Sequence, residues 1–403
     1  MYNSLGRLFQ FELKKLVKRK LLWTTALVSL LCIGVTVTSG LFGTYYVEGK
    51  PVETHYQIFK TDQVYRKALS GRDIDQKLIQ ETVDAYKQIP ISEERYTLTQ
   101  EYQTYARPYS DIFNLVRSWT EMQLPDIRSW KADEDTLYMI RTELLEKEWQ
   151  AIPLTESEKE FWRNKENQMP VPLTYHYHEG YENALDSFLN IGVVMLFFAA
   201  ICLSSVFSEE HTRRTDQLML SSAKGKTTAY WAKILAGITT SVAAATLMSL
   251  TTIILCLSIF GAEGFETPVQ IYFATYSYPL TMGQACLIAY GILILTSILA
   301  GVFVMVLSEL LHSGVATLAI SSGLIILGGM ISIPEQYRIL AQTWDWSPMA
   351  YLSTWNIFDP RTLTLFGRCF TSWQAVPVIY ILLSLVFAVG GKYIYRRYQI
   401  SGR

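Results

Sequence analysis

Apolar residues fall along this chain in long runs set apart by polar stretches. A hydrocarbon layer about 30 Å thick takes about 20 apolar helical residues to cross. Six runs suit that length: 21–43, 187–207, 234–260, 281–307, 314–333 and 376–391. The last is the shortest, and Tyr393 and Tyr395 extend it at the interface. The pattern therefore predicts six transmembrane helices.

Between the first two runs the pattern changes to a helical period. Ile74, Leu78, Ile79, Val83 and Tyr86 fall on one stripe, and Ile112, Phe113, Val116 and Trp119 on another. A third joins Leu137, Ile140, Leu144 and Leu145 with Arg141, which contributes through its aliphatic stem. Thr155-Glu156-Ser157-Glu158 reads as a capping box. Strand signal is confined to 171–177. Residues 44–186 are thus expected to form a large, mainly helical domain. The first 20 residues place Leu5, Leu8, Phe9, Leu16 and Val17 on one face, with Lys14, Lys15, Lys18 and Arg19 set to face headgroups or water. That is the pattern of an interfacial amphipathic helix leading into the first span.

Charge refines this picture. The chain has 35 Lys+Arg and 36 Asp+Glu in 403 residues, a net of −1 that argues against nucleic-acid binding. Residues 44–186 carry 17 basic and 26 acidic side chains, so the acid is concentrated there. Basic residues gather before run one, between runs two and three, and after run six, whereas 261–280 has none. By the positive-inside bias both termini are cytoplasmic and 44–186 is extracytoplasmic. Run one is too long for a signal peptide and lacks an A-x-A cleavage site. The five cysteines all lie outside 44–186, so that domain is expected to fold without disulfides.

The six runs contain no Asp, Glu, Lys, Arg or His. Ionisable groups at membrane depth serve proton relays, ion coupling or catalysis. Their absence argues against a proton-coupled transporter and a membrane-embedded enzyme. No catalytic residue is identified: GxSxG, HExxH and a Cys–His pair are all absent. Gly225-Lys226-Thr227 lacks the preceding glycine of a phosphate loop, since position 220 is Leu220. His176, His178 and His55 match no zinc spacing. The chain is expected to hold no metal or cofactor and not to be an enzyme. Small and hydroxyl residues crowd run three (Thr239 to Thr246) and run five (Gly314 to Gly329). They suit bundle packing within the chain or a seam with a second chain.

The segment after run two, from Ser208 through Glu209, Glu210, His211, Arg213, Arg214 and Asp216 to a Leu-rich turn, Ser221-Ser222-Ala223, Lys224, Lys226 and Lys233, is a short charged helix followed by a break and a basic turn. Such a helix can dock in a groove of a partner protein. Together with Phe11-Glu12-Leu13-Lys14-Lys15, the insert between spans one and two, and Pro334, Trp344, Trp346, Pro348 and Trp355 after run five, it resembles the permease subunits of ABC-2 type ABC exporters. Two departures from that pattern are Arg214-Thr215-Asp216, where many relatives have Gly-Thr, and a break without proline.

The resemblance implies an all-α polytopic membrane protein: an interfacial helix at 1–20, span one at 21–43, an extracytoplasmic domain at 44–186, and spans two to six within 187–403. A coupling loop would occupy 208–230 and outer half-helices 334–373. It also implies a dimer, with itself or with a second permease, in a bacterial plasma membrane. A separate cytosolic ATPase would bind ATP and Mg. Coupling to that ATPase falls by resemblance to Glu209, Glu210, Arg213, Arg214 and Asp216, with Glu309 in a second contact. The cargo expected is amphipathic or lipid-like, a peptide antibiotic or a drug among the candidates. The rival readings are a non-transporting sensor or scaffold whose insert binds a ligand, and an outside-facing enzyme.

Overall fold

The computed structural model describes residues 2–47, 50–90, 96–131, 134–213 and 227–397. Helix α1 (Tyr2–Val17) ends with Lys14 and Lys15 in its last turn, where cations offset the exposed carbonyls. Arg19 takes an extended conformation and breaks the helix, and α2 (Lys20–Thr38) follows. The amphipathic helix is there, with two corrections. Leu16 is buried as expected, but Val17 is exposed and the buried Glu12 lies on the packed face. Lys15 and Arg19 do not point to headgroups; they turn inward to carboxylates described below.

The insert opens with a hairpin, β1 (Thr44–Val47) and β2 (Lys50–Thr54), and continues through α3 (His55–Leu69), β3 (Arg72–Asp73) and α4 (Gln76–Lys87). Helices α5 (Ser110–Thr120), α6 (Leu124–Ser129), α7 (Glu134–Ala151) and α8 (Glu156–Glu166) follow, then β4 (Thr174–Tyr175), paired with β3. The stripes on α4 and α5 meet in one core, where Ile74, Leu78, Ile79, Ile112 and Trp119 are fully buried. Arg141 departs from expectation. Its whole side chain is buried, not the stem alone: the guanidinium pairs with Glu166 (3.1 Å), donates to the carbonyls of Ala274 and Tyr276, and lies over the Trp119 ring. The capping box at Thr155 and Glu158 is formed.

Helix α9 (Glu179–Leu203) enters the bundle, and after one turn α10 (Ser208–Thr212) caps its far end. Then come α11 (Thr228–Phe260), α12 (Met282–Leu311), α13 (Gly314–Met330) and α16 (Ser372–Arg397). Helix α9 is central and packs on α2, α11, α12 and α13, while α12 packs on α16 and α1 lies along α11. Small residues in run three serve this packing. The site of a Cβ on Gly301 is 2.3 Å from Ser241 Oγ, and that on Gly237 2.1 Å from Met305 Sδ, so a larger residue at either position would have to displace those side chains where α11 and α12 meet.

Among the described residues, five helical segments are long and apolar enough to cross a membrane: Lys20–Leu41, Glu179–Thr212, Thr228–Phe260, Met282–Leu311 and Ser372–Arg397. The sixth expected span falls short of that length. Its helix α13 has 17 residues, about 25 Å at 1.5 Å per residue, and ends at Met330 where Ile331 turns extended. Beyond it lie α14 (Arg338–Asp345), α15 (Thr354–Ile357) and the hairpin β5 (Leu363–Leu365) with β6 (Arg368–Phe370). The expected half-helices are thus short, eight and four residues. The long helices also outrun their apolar runs: α9 begins with Glu179, Glu182 and Asp186, and α11 carries Lys233 in its second turn.

Candidate functional site

The charged residues singled out in the segment after run two gather at one end of the bundle, where α1, α10, the start of α11 and the end of α12 meet. The turn Ser204–Phe207 sets α10 in place. The backbone N–H of Ser208 donates to Ser308 Oγ (3.2 Å), and Gly314 sits against Ser205 and Ser208.

Glu209 pairs with Arg19, whose other terminal nitrogen donates to Ser205 Oγ (3.0 Å), and with Arg213 (2.8 Å). Glu210 is buried and pairs with Lys233; Lys15 lies 3.6 Å from the same oxygen. Lys233 has no exposed surface. Its ammonium also donates to the Val206 carbonyl (3.2 Å) and lies 5.2 Å from the centroid of the Phe207 ring. A buried ion survives only when paired and hydrogen-bonded on its remaining valences, and Lys233 meets both conditions. Glu309, at the end of α12, is 1% exposed and bonds through Oε2 to His211 Nε2 (3.1 Å). Below these pairs Phe207, Tyr230 and Tyr395 pack ring to ring, and Tyr230 donates to the Ala388 carbonyl (2.6 Å).

Four of the six singled-out residues are thus brought together. Glu210 and Glu309 face neighbours within the chain, Glu209 is partly shielded, and Arg213 alone projects, with 72% of its side chain exposed. Arg214 and Asp216 lie outside the described residues. Lys15, Arg19 and His211, the partners of Glu210, Glu209 and Glu309, were legible only as charges. Lys233, named with that segment, finds in Glu210 the counter-ion that a lysine inside an apolar helix needs.

A second feature left no mark in the sequence. Between α9, α12, α13, α14 and α16 is an open cavity of about 340 Å³, lined almost wholly by apolar groups that include Leu196, Leu299, Phe303, Ile325, Trp344 and Phe387. The Gly328-Gly329 pair lets α13 approach Met349 at its rim; a Cβ on Gly328 would lie 2.9 Å from that side chain.

A family profile described as ABC-2 family transporter protein matches residues 20–389. The chain belongs to that family. It is a multi-pass membrane protein with a role in transport, and its family works with an ABC ATPase. No curated protein matches the sequence.

At the opposite end the insert is locked onto the bundle. Arg66 of α3 pairs with Asp111 (3.1 Å) and Glu179 (3.3 Å). Burial would depress its pKa, but the carboxylates of Asp111 and Glu179 outweigh that and raise it, so the guanidinium stays charged. Gln63 donates to Tyr177 Oη (2.9 Å) and to the Phe260 carbonyl at the end of α11 (3.1 Å). His178, considered as a ligand in the sequence, is buried against the His176 carbonyl (2.8 Å) and Glu182 (3.8 Å).

Proposed function

We propose that this permease is an exporter subunit in a bacterial plasma membrane, with both termini in the cytoplasm. It passes an amphipathic or lipid-like cargo outward on energy from a separate cytosolic ATPase, and works as a dimer. The observation that carries this reading is the ion-paired end of the bundle. Arg19–Glu209, Lys15–Glu210–Lys233 and His211–Glu309 tie α1, α10, α11 and α12 into one unit. A push on α10 would move four helices together, and Arg213 stands outward to receive it. The coupling role is assigned to Glu209, Glu210, Arg213, Arg214, Asp216 and Glu309, with Glu210 and Glu309 transmitting inside the chain and Arg213 meeting the ATPase. The apolar cavity suits the tail of an amphipath. ATP and Mg belong to the ATPase, and this chain supplies no catalytic group.

The test is co-purification with a candidate cytosolic ABC ATPase, then ATP turnover in nanodiscs. The expectation is vanadate-sensitive turnover stimulated by cationic amphipaths. Arg213→Glu should weaken ATPase association at least tenfold. Cargo movement in sealed vesicles driven by a proton gradient without an ATPase would overturn the reading. A second reading, a ligand sensor, draws on the clamp of Arg66 to Glu179. It predicts ligand binding to the insert with no cargo movement.

A further inference from the structure

The sequence offered no zinc spacing, yet folding brings three metal-ligating side chains together. His211 comes from α10; Glu309 and His312 come from the last turn and cap of α12. One ligand atom from each lies within 4.8 Å of the others. Glu309 and His312 are three residues apart, so they share a helix face. His312 closes α12 in the left-handed region (φ 52°), and its ring meets that of His211 edge to face at 4.2 Å between centroids. The decisive group is Glu309. Its carboxyl is 1% exposed, and while Oε2 takes the bond from His211, Oε1 is buried without a hydrogen-bond partner. An unsatisfied buried carboxylate oxygen costs free energy, which a cation would repay.

We propose that His211, Glu309 and His312 form a three-ligand site for a divalent transition metal of the Zn²⁺ class. Two imidazoles and a carboxylate select borderline metals over Mg²⁺ and Ca²⁺, which prefer oxygen. Metal–ligand bonds of about 2.0–2.2 Å place tetrahedral ligand atoms a little over 3 Å apart, within reach of small side-chain rotations. His312 is exposed, so the ion has an entry path and a fourth position for water. Metal ligation takes both imidazoles in the neutral form and the carboxylate ionised. The bound ion staples α10 to the end of α12. The inference does not depend on the coupling reading, since its readout is binding.

The test uses the full chain in detergent, stripped with a chelator, and titrated with Co²⁺ by visible absorption and with Zn²⁺ by calorimetry. One ion per chain is expected, with the strong visible bands of four-coordinate cobalt and a higher melting temperature, and with Mg²⁺ silent at equal concentration. His312→Gln, an exposed change that keeps the fold, should weaken binding at least tenfold, and so should His211→Gln. Absence of stoichiometric binding overturns the proposal. So does unchanged affinity in both variants, which would move the ion to another site. Weak bands typical of six-coordinate cobalt would overturn the tetrahedral assignment.

Discussion

At Glu210 a carboxylate and at Lys233 an ammonium are removed from water together, and each is the other's main compensation. Truncating one partner of a buried pair leaves an unpaired charge and costs on the order of 3–5 kcal/mol. Glu210→Ala should destabilise the purified protein by about that amount and lower its melting temperature, and Lys233→Ala should do so by less because Lys15 stays beside Glu210. The double change Glu210→Leu with Lys233→Met removes both charges and should cost less than either single change. A double variant whose loss equals the sum of the two would show that the residues act independently. Glu209 is different, because Arg213, one of its partners, is largely in solvent. Exposed pairs contribute about 0–1 kcal/mol, so Arg213→Ala should leave stability unchanged within about 0.5 kcal/mol while weakening ATPase association.

Helix α8 shows how one carboxylate can both start an element and fasten it. Thr155 and Glu158 cap its first turn, as the sequence predicts, with the Thr155 backbone N–H donating to Glu158 (2.8 Å). Only folding reveals the second role. The other oxygen of Glu158 accepts from Arg338 (2.6 Å) and from the backbone N–H of Thr362 (2.7 Å), far along the chain. Burial alone would raise the pKa of this carboxyl, but Arg338 and the hydrogen bonds from Thr155 and Thr362 outweigh it and hold it below the usual carboxylate value. A depressed folded-state pKa means stability present above the unfolded value, about 4.3, and lost as pH falls through the folded one. The contact of α8 with the 338–362 region should therefore hold at neutral pH and loosen as pH falls below the unfolded carboxylate value toward the lower folded one. Hydrogen exchange of residues 156–166 measured against pH checks this. In Glu158→Gln the same segment should exchange faster already at pH 7. The stripes on α4 and α5 were legible because a helix buries every third or fourth residue regardless of what covers it. Arg141 was misjudged because its partners, Glu166 and the Ala274 and Tyr276 carbonyls, lie elsewhere in the chain.

At the scale of the whole molecule the two charged ends and the apolar cavity define a device with three working parts. The insert is fixed to α9 and α11 through Arg66, Gln63 and Tyr177. The α10 end is fixed to α1 and α11 by ion pairs and to α12 by the His211–Glu309 hydrogen bond, and the cavity lies among the helices that join the two ends. If cargo enters that cavity, Ala300→Phe on its wall should abolish cargo-stimulated ATP turnover while ATPase binding stays intact. Overpacking of this kind costs about 1–3 kcal/mol, so a folded variant is expected. Turnover stimulated as in the unmodified protein would remove the cavity from the transport path.

The sequence by itself determined that this chain is a helical membrane protein, where its long apolar helices run, where the acidic insert sits, and which segment between them carries charge. Those are local properties, because hydropathy, helical period and the placement of Lys and Arg act through near neighbours and the surrounding solvent. Tertiary structure alone decided that Glu210 and Glu309 face inward, that Lys15 and Arg19 close onto α10, and that His211 meets Glu309 and His312. It also set the length of α13 and opened the cavity beside it. Most of these depend on side chains far apart in the chain, Arg19 and Glu209 by 190 residues and His211 and Glu309 by 98, whose pairing energy exists only after the helices have packed.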